Sequence, residues 1–158
     1  MDAKPTMFQG ILFKSKSEAM FANILEQMKG YRNYLRWVYE PKQFETKDKY
    51  IPDFIIYEGD ELFLADWIYL IEYKPSMPTQ AYIDYLAKQF EEIKKKDCYH
   101  FIDNCYLVYG NCFDNNFCRI VYDFESHQFF NQNDSLNWVE KIYVERAKSH
   151  RYDLETTF

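Results

Sequence analysis

Residues 50–75 read YIPDFIIYEGDELFLADWIYLIEYKP. The run Tyr50 to Tyr57, rich in aromatic and β-branched residues, reads as a strand closed by the turn Glu58-Gly59-Asp60. A second and a third apolar run follow, which predicts a meander. Period-two alternation from Trp67 to Lys74 puts Trp67, Tyr69, Ile71 and Tyr73 on one face and Ile68, Leu70, Glu72 and Lys74 on the other. Glu72 and Lys74 thus extend an apolar face. A lone acid buried there would neutralise or find a partner, and the candidates are Lys74, a bound cation, or both. Asp53 follows Pro52, and proline in a strand marks an edge, a start or a bulge, which suits a carboxylate aimed into a cleft. Residue chemistry alone leaves a same-face ion pair open for Glu72 and Lys74.

Working outward, a chain of 158 residues is long enough to bury a core and short enough to read as one domain spanning 1–158. With 47% hydrophobic and 20% aromatic residues it belongs among globular proteins rather than disordered ones. No apolar run approaches a membrane span and the first residues lack the parts of a signal peptide, so a cytoplasmic location is expected. Cys98, Cys105, Cys112 and Cys118 do not have zinc-knuckle spacing and read as reduced core or loop residues. The net charge of −6 argues against a broadly basic nucleic-acid-binding surface, but not against a local patch. Lys14 and Lys16 are the candidates for such a patch. Lys94-Lys95-Lys96 reads first as a solvated helix C-terminus.

In chain order, a helix is expected from about Ser15 to Lys29, with Phe21, Ile24, Leu25 and Met28 inward and Gly30 as its stop. Ser15-Lys16-Ser17-Glu18 has the form of a capping box, in which Glu18 bonds back to the Ser15 amide. A strand over Leu35 to Tyr39 ends at Glu40-Pro41, and a polar turn over Glu45 to Lys49 leads to the central hairpin. Thr79 is placed to cap a helix reaching about Lys96, whose inner stripe is Tyr82, Tyr85, Leu86, Phe90 and Ile93. Gln89 falls within that stripe and, as a polar amide on an apolar face, requires a partner. Tyr106 to Gly110 reads as a strand buried on both faces, followed by a turn over Asn111 to Phe117. A hairpin around Glu125-Ser126-His127 and a last helix capped by Asn133-Asp134-Ser135 complete the chain. The expected class is α/β, a mixed central sheet flanked by helices, with a C-terminal hairpin and helix.

Pro52-Asp53 followed by Glu72-Tyr73-Lys74 resembles the signature of the PD-(D/E)XK nuclease superfamily. Three further segments extend the resemblance to small phage-associated nuclease-like proteins: Phe13-Lys14-Ser15-Lys16-Ser17-Glu18-Ala19, Trp37-Val38-Tyr39-Glu40-Pro41, and the closing run from Tyr143 to Tyr152. The resemblance implies a restriction-endonuclease-like core of order αβββαβ. It carries the family's helix glutamate onto Glu18, its metal-binding acids onto Asp53 and Glu72, and its lysine onto Lys74. It offers the Tyr73 carbonyl as a further ligand and Gln89 as a residue that helps order the site.

The activity implied is metal-dependent DNA hydrolysis with Mg²⁺ or Mn²⁺, in a phage-encoded or prophage-derived protein. Three acids brought together repel one another, and a hard divalent cation with oxygen ligands relieves that repulsion. In some nuclease-like relatives a cysteine pair occurs near the C-terminus, and this chain has no such pair after Cys118. Two other readings stay open. One is a catalytically weak nuclease-fold protein that binds a host or phage protein; the other is a nuclease subunit that needs a DNA-binding partner. A homodimer is allowed and no membrane partner is expected.

Overall fold

The computed structural model describes residues 4–28, 35–65, 67–113, 120–130 and 155–156. In chain order its elements are β1 (Thr6–Phe8), β2 (Ile11–Phe13), α1 (Lys16–Met28), β3 (Leu35–Tyr39), β4 (Phe54–Glu58), β5 (Trp67–Lys74), α2 (Gln80–Lys94), β6 (Asn104–Tyr109), β7 (Ile120–Asp123), β8 (Gln128–Phe130) and β9 (Glu155–Thr156). Short 3₁₀ turns lie at Leu62–Leu64 and Asp97–Tyr99. The main sheet has six strands in the order β3-β4-β5-β6-β7-β8. The meander β3-β4-β5 is antiparallel, β6 runs parallel to β5, and β7 and β8 return antiparallel. A parallel neighbour demands a crossover, and α2 supplies it. The class is therefore α/β, with a mixed sheet and two α-helices among the described residues.

The alternation on β5 decides the layering. Ile71 and Tyr73 enter one core with Phe54 and Ile56 from β4 and Phe21, Ile24 and Leu25 from α1. Ile68 and Leu70 enter a second core with Ile55, Leu107 and, from α2, Ile83, Leu86, Phe90 and Ile93. Each face of the sheet is covered by one helix, and all six residues of β6 are buried, as a central strand between two apolar layers must be. Phe21 stacks on Tyr73 at 4.6 Å between ring centroids and 10° between planes, which contributes about 0.5–1.5 kcal/mol beyond area burial.

Several expected boundaries shift for identifiable reasons. The strand expected from Tyr50 begins at Phe54, because the 44–46 loop already engages the backbone of Tyr50. Its carbonyl accepts from Phe44 N at 2.7 Å and its N–H donates to Thr46 Oγ1 at 3.2 Å. Tyr85 is 38% exposed and does not belong to the inner stripe of α2, where Ile83 is buried instead. Thr79 caps that helix as expected, accepting from Tyr82 N at 3.2 Å.

An element not expected from the sequence is the hairpin β1–β2. It turns at Gln9-Gly10, where φ values of 50° and 78° favour glycine at the second position. β9 pairs with β1 to make a second, three-stranded sheet. Cys105 and Cys112 are buried, the Cys112 thiol donating to Tyr73 Oη at 3.0 Å, and Cys98 is exposed. The helix stop at Gly30, part of the Asn111 to Phe117 turn, Cys118 and the closing helix lie outside the described residues. Among the described residues no helix is long and apolar enough to cross a membrane.

Candidate functional site

Asp53 stands at the entrance to β4 and Glu72 near the exit of β5, so antiparallel pairing brings them to the same end of the sheet. Parity puts both on the face covered by α2. They are 8% and 3% exposed. The Asp53 N–H donates to Glu72 Oε1 at 3.2 Å, and Asp53 Oδ2 accepts the Tyr73 N–H at 2.8 Å. Two tyrosines complete the surroundings of Glu72. Tyr50 Oη donates to its Oε1 at 3.1 Å and Tyr82 Oη to its Oε2 at 2.9 Å.

Burial first, and the neighbouring Glu72 charge second, hold the Asp53 carboxyl well above its ordinary range. Burial also raises the Tyr50 and Tyr82 hydroxyls, with Glu72 the next cause in each, so both stay protonated donors.

The two acids floor a cleft of about 610 Å³ whose lining includes Lys14, Lys49, Lys74, Tyr82 and Tyr85. Lys74 Nζ lies 5.0 Å from the centroid of the Tyr82 ring, a cation–π contact that holds the ammonium beside Glu72. Lys14 pairs with Glu40 at 3.4 Å. Burial opposes the Lys14 charge, but Glu40, Glu18 and Asp53 outweigh it and its pKa is raised.

Glu18 does not line the cleft. Its amide donates to Ser15 Oγ at 3.1 Å, so half of the capping box forms, but its carboxylate accepts Tyr39 Oη at 3.0 Å. Burial and then the Asp53 charge raise Glu18 to about 6. Electrostatics thus couple it to the cleft acids even though it is bonded elsewhere.

Lys16 is drawn over the Phe113 ring at 5.3 Å and, unlike Lys14, is not part of the lining. Gln89 is buried and fully bonded, its Oε1 accepting from Thr46 Oγ1 at 2.6 Å and its Nε2 donating to Asp48 Oδ2 at 2.8 Å. It acts on the loop before Asp53 rather than on the acids. Gln89 holds Thr46, Thr46 holds the Tyr50 amide, and the Tyr50 hydroxyl holds Glu72.

Tyr50, Tyr82 and Tyr39 were read from sequence only as strand, helix-stripe and motif residues and Lys49 only as part of a turn; none was given a role in the site. The signal that finds the tyrosines is their chemistry, since a buried phenol requires a hydrogen-bond partner and two of them on the face of Glu72 point to it.

Among the described residues no group of three or more His, Cys, Asp or Glu side chains is gathered to hold a metal ion. Asp53 and Glu72 form a pair of hard oxygen donors. A carboxylate oxygen that accepts one hydrogen bond keeps a second lone pair, and magnesium is commonly held by one or two carboxylates with water and phosphate in its other positions. The donor set fits a hard divalent cation on those terms. Comparison with family models, with curated proteins and with solved structures finds no match in any of the three. The functional reading therefore rests on the residues.

Proposed function

We propose that this protein is a Mg²⁺- or Mn²⁺-dependent deoxyribonuclease, phage-encoded or prophage-derived, of the PD-(D/E)XK kind. The observation that carries the reading is the juxtaposition of Asp53, Glu72 and Lys74 at one end of an antiparallel strand pair, in a cleft with further lysines on its walls. The element order α1-β3-β4-β5-α2-β6 supports it, being the order αβββαβ of a restriction-endonuclease-like core.

Asp53 and Glu72, with the Tyr73 carbonyl as a further donor, would hold the cation, which when bound supplies a Lewis acid at a phosphate oxygen and lowers the pKa of water. The remaining work falls to the chain. Tyr50 and Tyr82 fix the rotamer of Glu72. Lys14 and Lys49 attract the phosphate backbone. Lys74 either orients the attacking water or stabilises negative charge developing on the phosphoryl oxygens. Glu18, raised to about 6 by burial and the Asp53 charge, adds to the negative potential that draws a cation.

A second reading, a catalytically silent nuclease-fold protein that binds another protein, is favoured by a specific observation. The two oxygens of Glu72 already take three hydrogen bonds from this chain, which offset its burial without any ion. Incubation with supercoiled, linear, single-stranded and branched DNA in Mg²⁺ or Mn²⁺ separates the two readings. Cleavage by the wild type that is lost in Lys74→Ala is the expected outcome. No cleavage of any substrate at high protein concentration overturns the autonomous nuclease.

A further inference from the structure

We propose that Tyr82 and Tyr85 form a stacking platform for an unpaired nucleobase at the mouth of the cleft, so that the substrate is single-stranded DNA. The proposal deepens the nuclease reading and rests on it.

The two tyrosines lie three residues apart on α2, where neighbours on the helix surface meet, and their rings stack at 6.0 Å between centroids with 29° between planes. They play unequal parts. Tyr82 is tied at its hydroxyl to Glu72 and at its ring to Lys74, so its position is fixed by the site. Tyr85 extends the ring surface outward and remains exposed. The packing of α2 does not use it, since Ile83, Leu86, Phe90 and Ile93 fill the core beneath that helix.

Ile51 presents a second exposed apolar side chain from another part of the same lining. Lys14, Lys49 and Lys74 supply cations for phosphates, and Asp48, another acid of the lining, is engaged by the Gln89 amide. Flat aromatic surface interleaved with cations is the arrangement that binds single strands without sequence preference. In a duplex the faces of the bases are already stacked on one another, so only an unpaired or extruded base can use the platform. Exposed tyrosine also suits a protein interface; the surrounding lysines favour a polyanion.

The test uses the full chain and two probes at low salt, a short thymidine oligomer carrying one 2-aminopurine and the duplex of the same length. Calcium replaces magnesium, so that binding is read without cleavage. The wild type is expected to bind the single strand more tightly than the duplex and to quench the 2-aminopurine. Tyr85→Ala is expected to lose roughly ten-fold in single-strand affinity together with the quench, while Tyr85→Phe keeps both.

Single-strand affinity within about two-fold of wild type in Tyr85→Ala overturns the proposal. So does absence of binding to either probe, which assigns the tyrosine pair to a protein surface. Cleavage assays in Mg²⁺ with Lys74→Ala run beside these and keep the two failures apart. Lys74-dependent cleavage of duplex with no effect of Tyr85→Ala sinks the platform and leaves the nuclease. Tyr85-dependent binding with no cleavage of any substrate supports the platform and removes the nuclease.

Discussion

At the scale of single residues the dominant fact is that Glu18 and Asp53 are held against their preferred charge. Glu18 is raised from 4.5 to about 6, burial being the larger cause and Asp53 the next. An acid whose folded pKa lies above its unfolded one favours the folded state only while protonated. That contribution is full below about 4.5 and is lost as pH rises through about 6. Glu18→Gln keeps an acceptor for Tyr39 and has no charge to bury. It should therefore be more stable than wild type near neutrality, by about 1 kcal/mol after allowance for partial solvent screening. Urea denaturation near neutrality and again at mildly acid pH checks this, and a variant less stable than wild type at neutrality contradicts it.

Asp53 is raised in the same direction, by burial and then by Glu72. A cation there should relieve the pair, so Mg²⁺ is expected to raise the Tm of the wild type. Asp53→Asn and Glu72→Gln should lose that response in a thermal-shift assay. An equal response in all three proteins would place any bound cation elsewhere. Glu72 and Lys74 were legible because alternation along one strand reports a face directly, and Asp53 because it follows a proline at a strand's start. The tyrosines that hold Glu72 were not. In a chain with fifteen tyrosines, periodicity counts each as apolar and does not show where its hydroxyl points.

At the scale of elements, the loop 44–50 is the part of the site with least regular structure, and α2 holds it by Gln89 and by Glu92, whose carboxylate accepts the Lys47 N–H at 2.8 Å. Gln89 accepts from Thr46 Oγ1, which in turn accepts from the Tyr50 amide. Gln89→Leu fills the same volume but leaves the buried Thr46 hydroxyl without that acceptor and Asp48 without its donor. The expected cost is about 1–3 kcal/mol by denaturation. Faster hydrogen exchange at the Tyr50 amide should accompany it, whereas an unchanged amide would show that the loop is held by other contacts.

α1 and α2 were readable from caps and periodicity, β6 from its continuous apolar run, and β3 was found at Leu35–Tyr39. The hairpin β1–β2 was not, since three-residue strands are too short to show a period and only the Gln9-Gly10 pair marks the turn. β9 was beyond reach for a different reason, because its partner lies at the opposite end of the chain and nothing local specifies the pairing. Tyr85 was misplaced because Leu86, Phe90 and Ile93 fit a stripe widened toward Tyr82 and Tyr85 on one side or toward Ile83 on the other, and a phenol at a lysine-lined cleft has less need of burial than an isoleucine.

At the scale of the whole molecule, composition and site pull in different directions. A net charge of −6 reads as unfavourable to DNA, yet lysines are gathered in the one cleft whose floor holds Asp53 and Glu72. Composition averages over the surface and is blind to that placement. The layering has a mechanical consequence as well. The core under α1 and the core under α2 share β4 and β5, whose residues alternate between them. Neither core can come apart without exposing the back of the sheet that supports the other, so the two should unfold together. Ile24→Ala opens the first core and Leu86→Ala the second, at residues fully buried in the native state. Each is expected to cost about 2–5 kcal/mol. In both variants tryptophan fluorescence and far-UV circular dichroism should report one coincident transition with the wild-type denaturant slope. Separated transitions in the Leu86→Ala protein would mean that the α2 layer, with Tyr82, Tyr85 and Gln89 on it, can detach while the α1 layer holds. Glu72 would then lose the Tyr82 hydroxyl before the fold is lost.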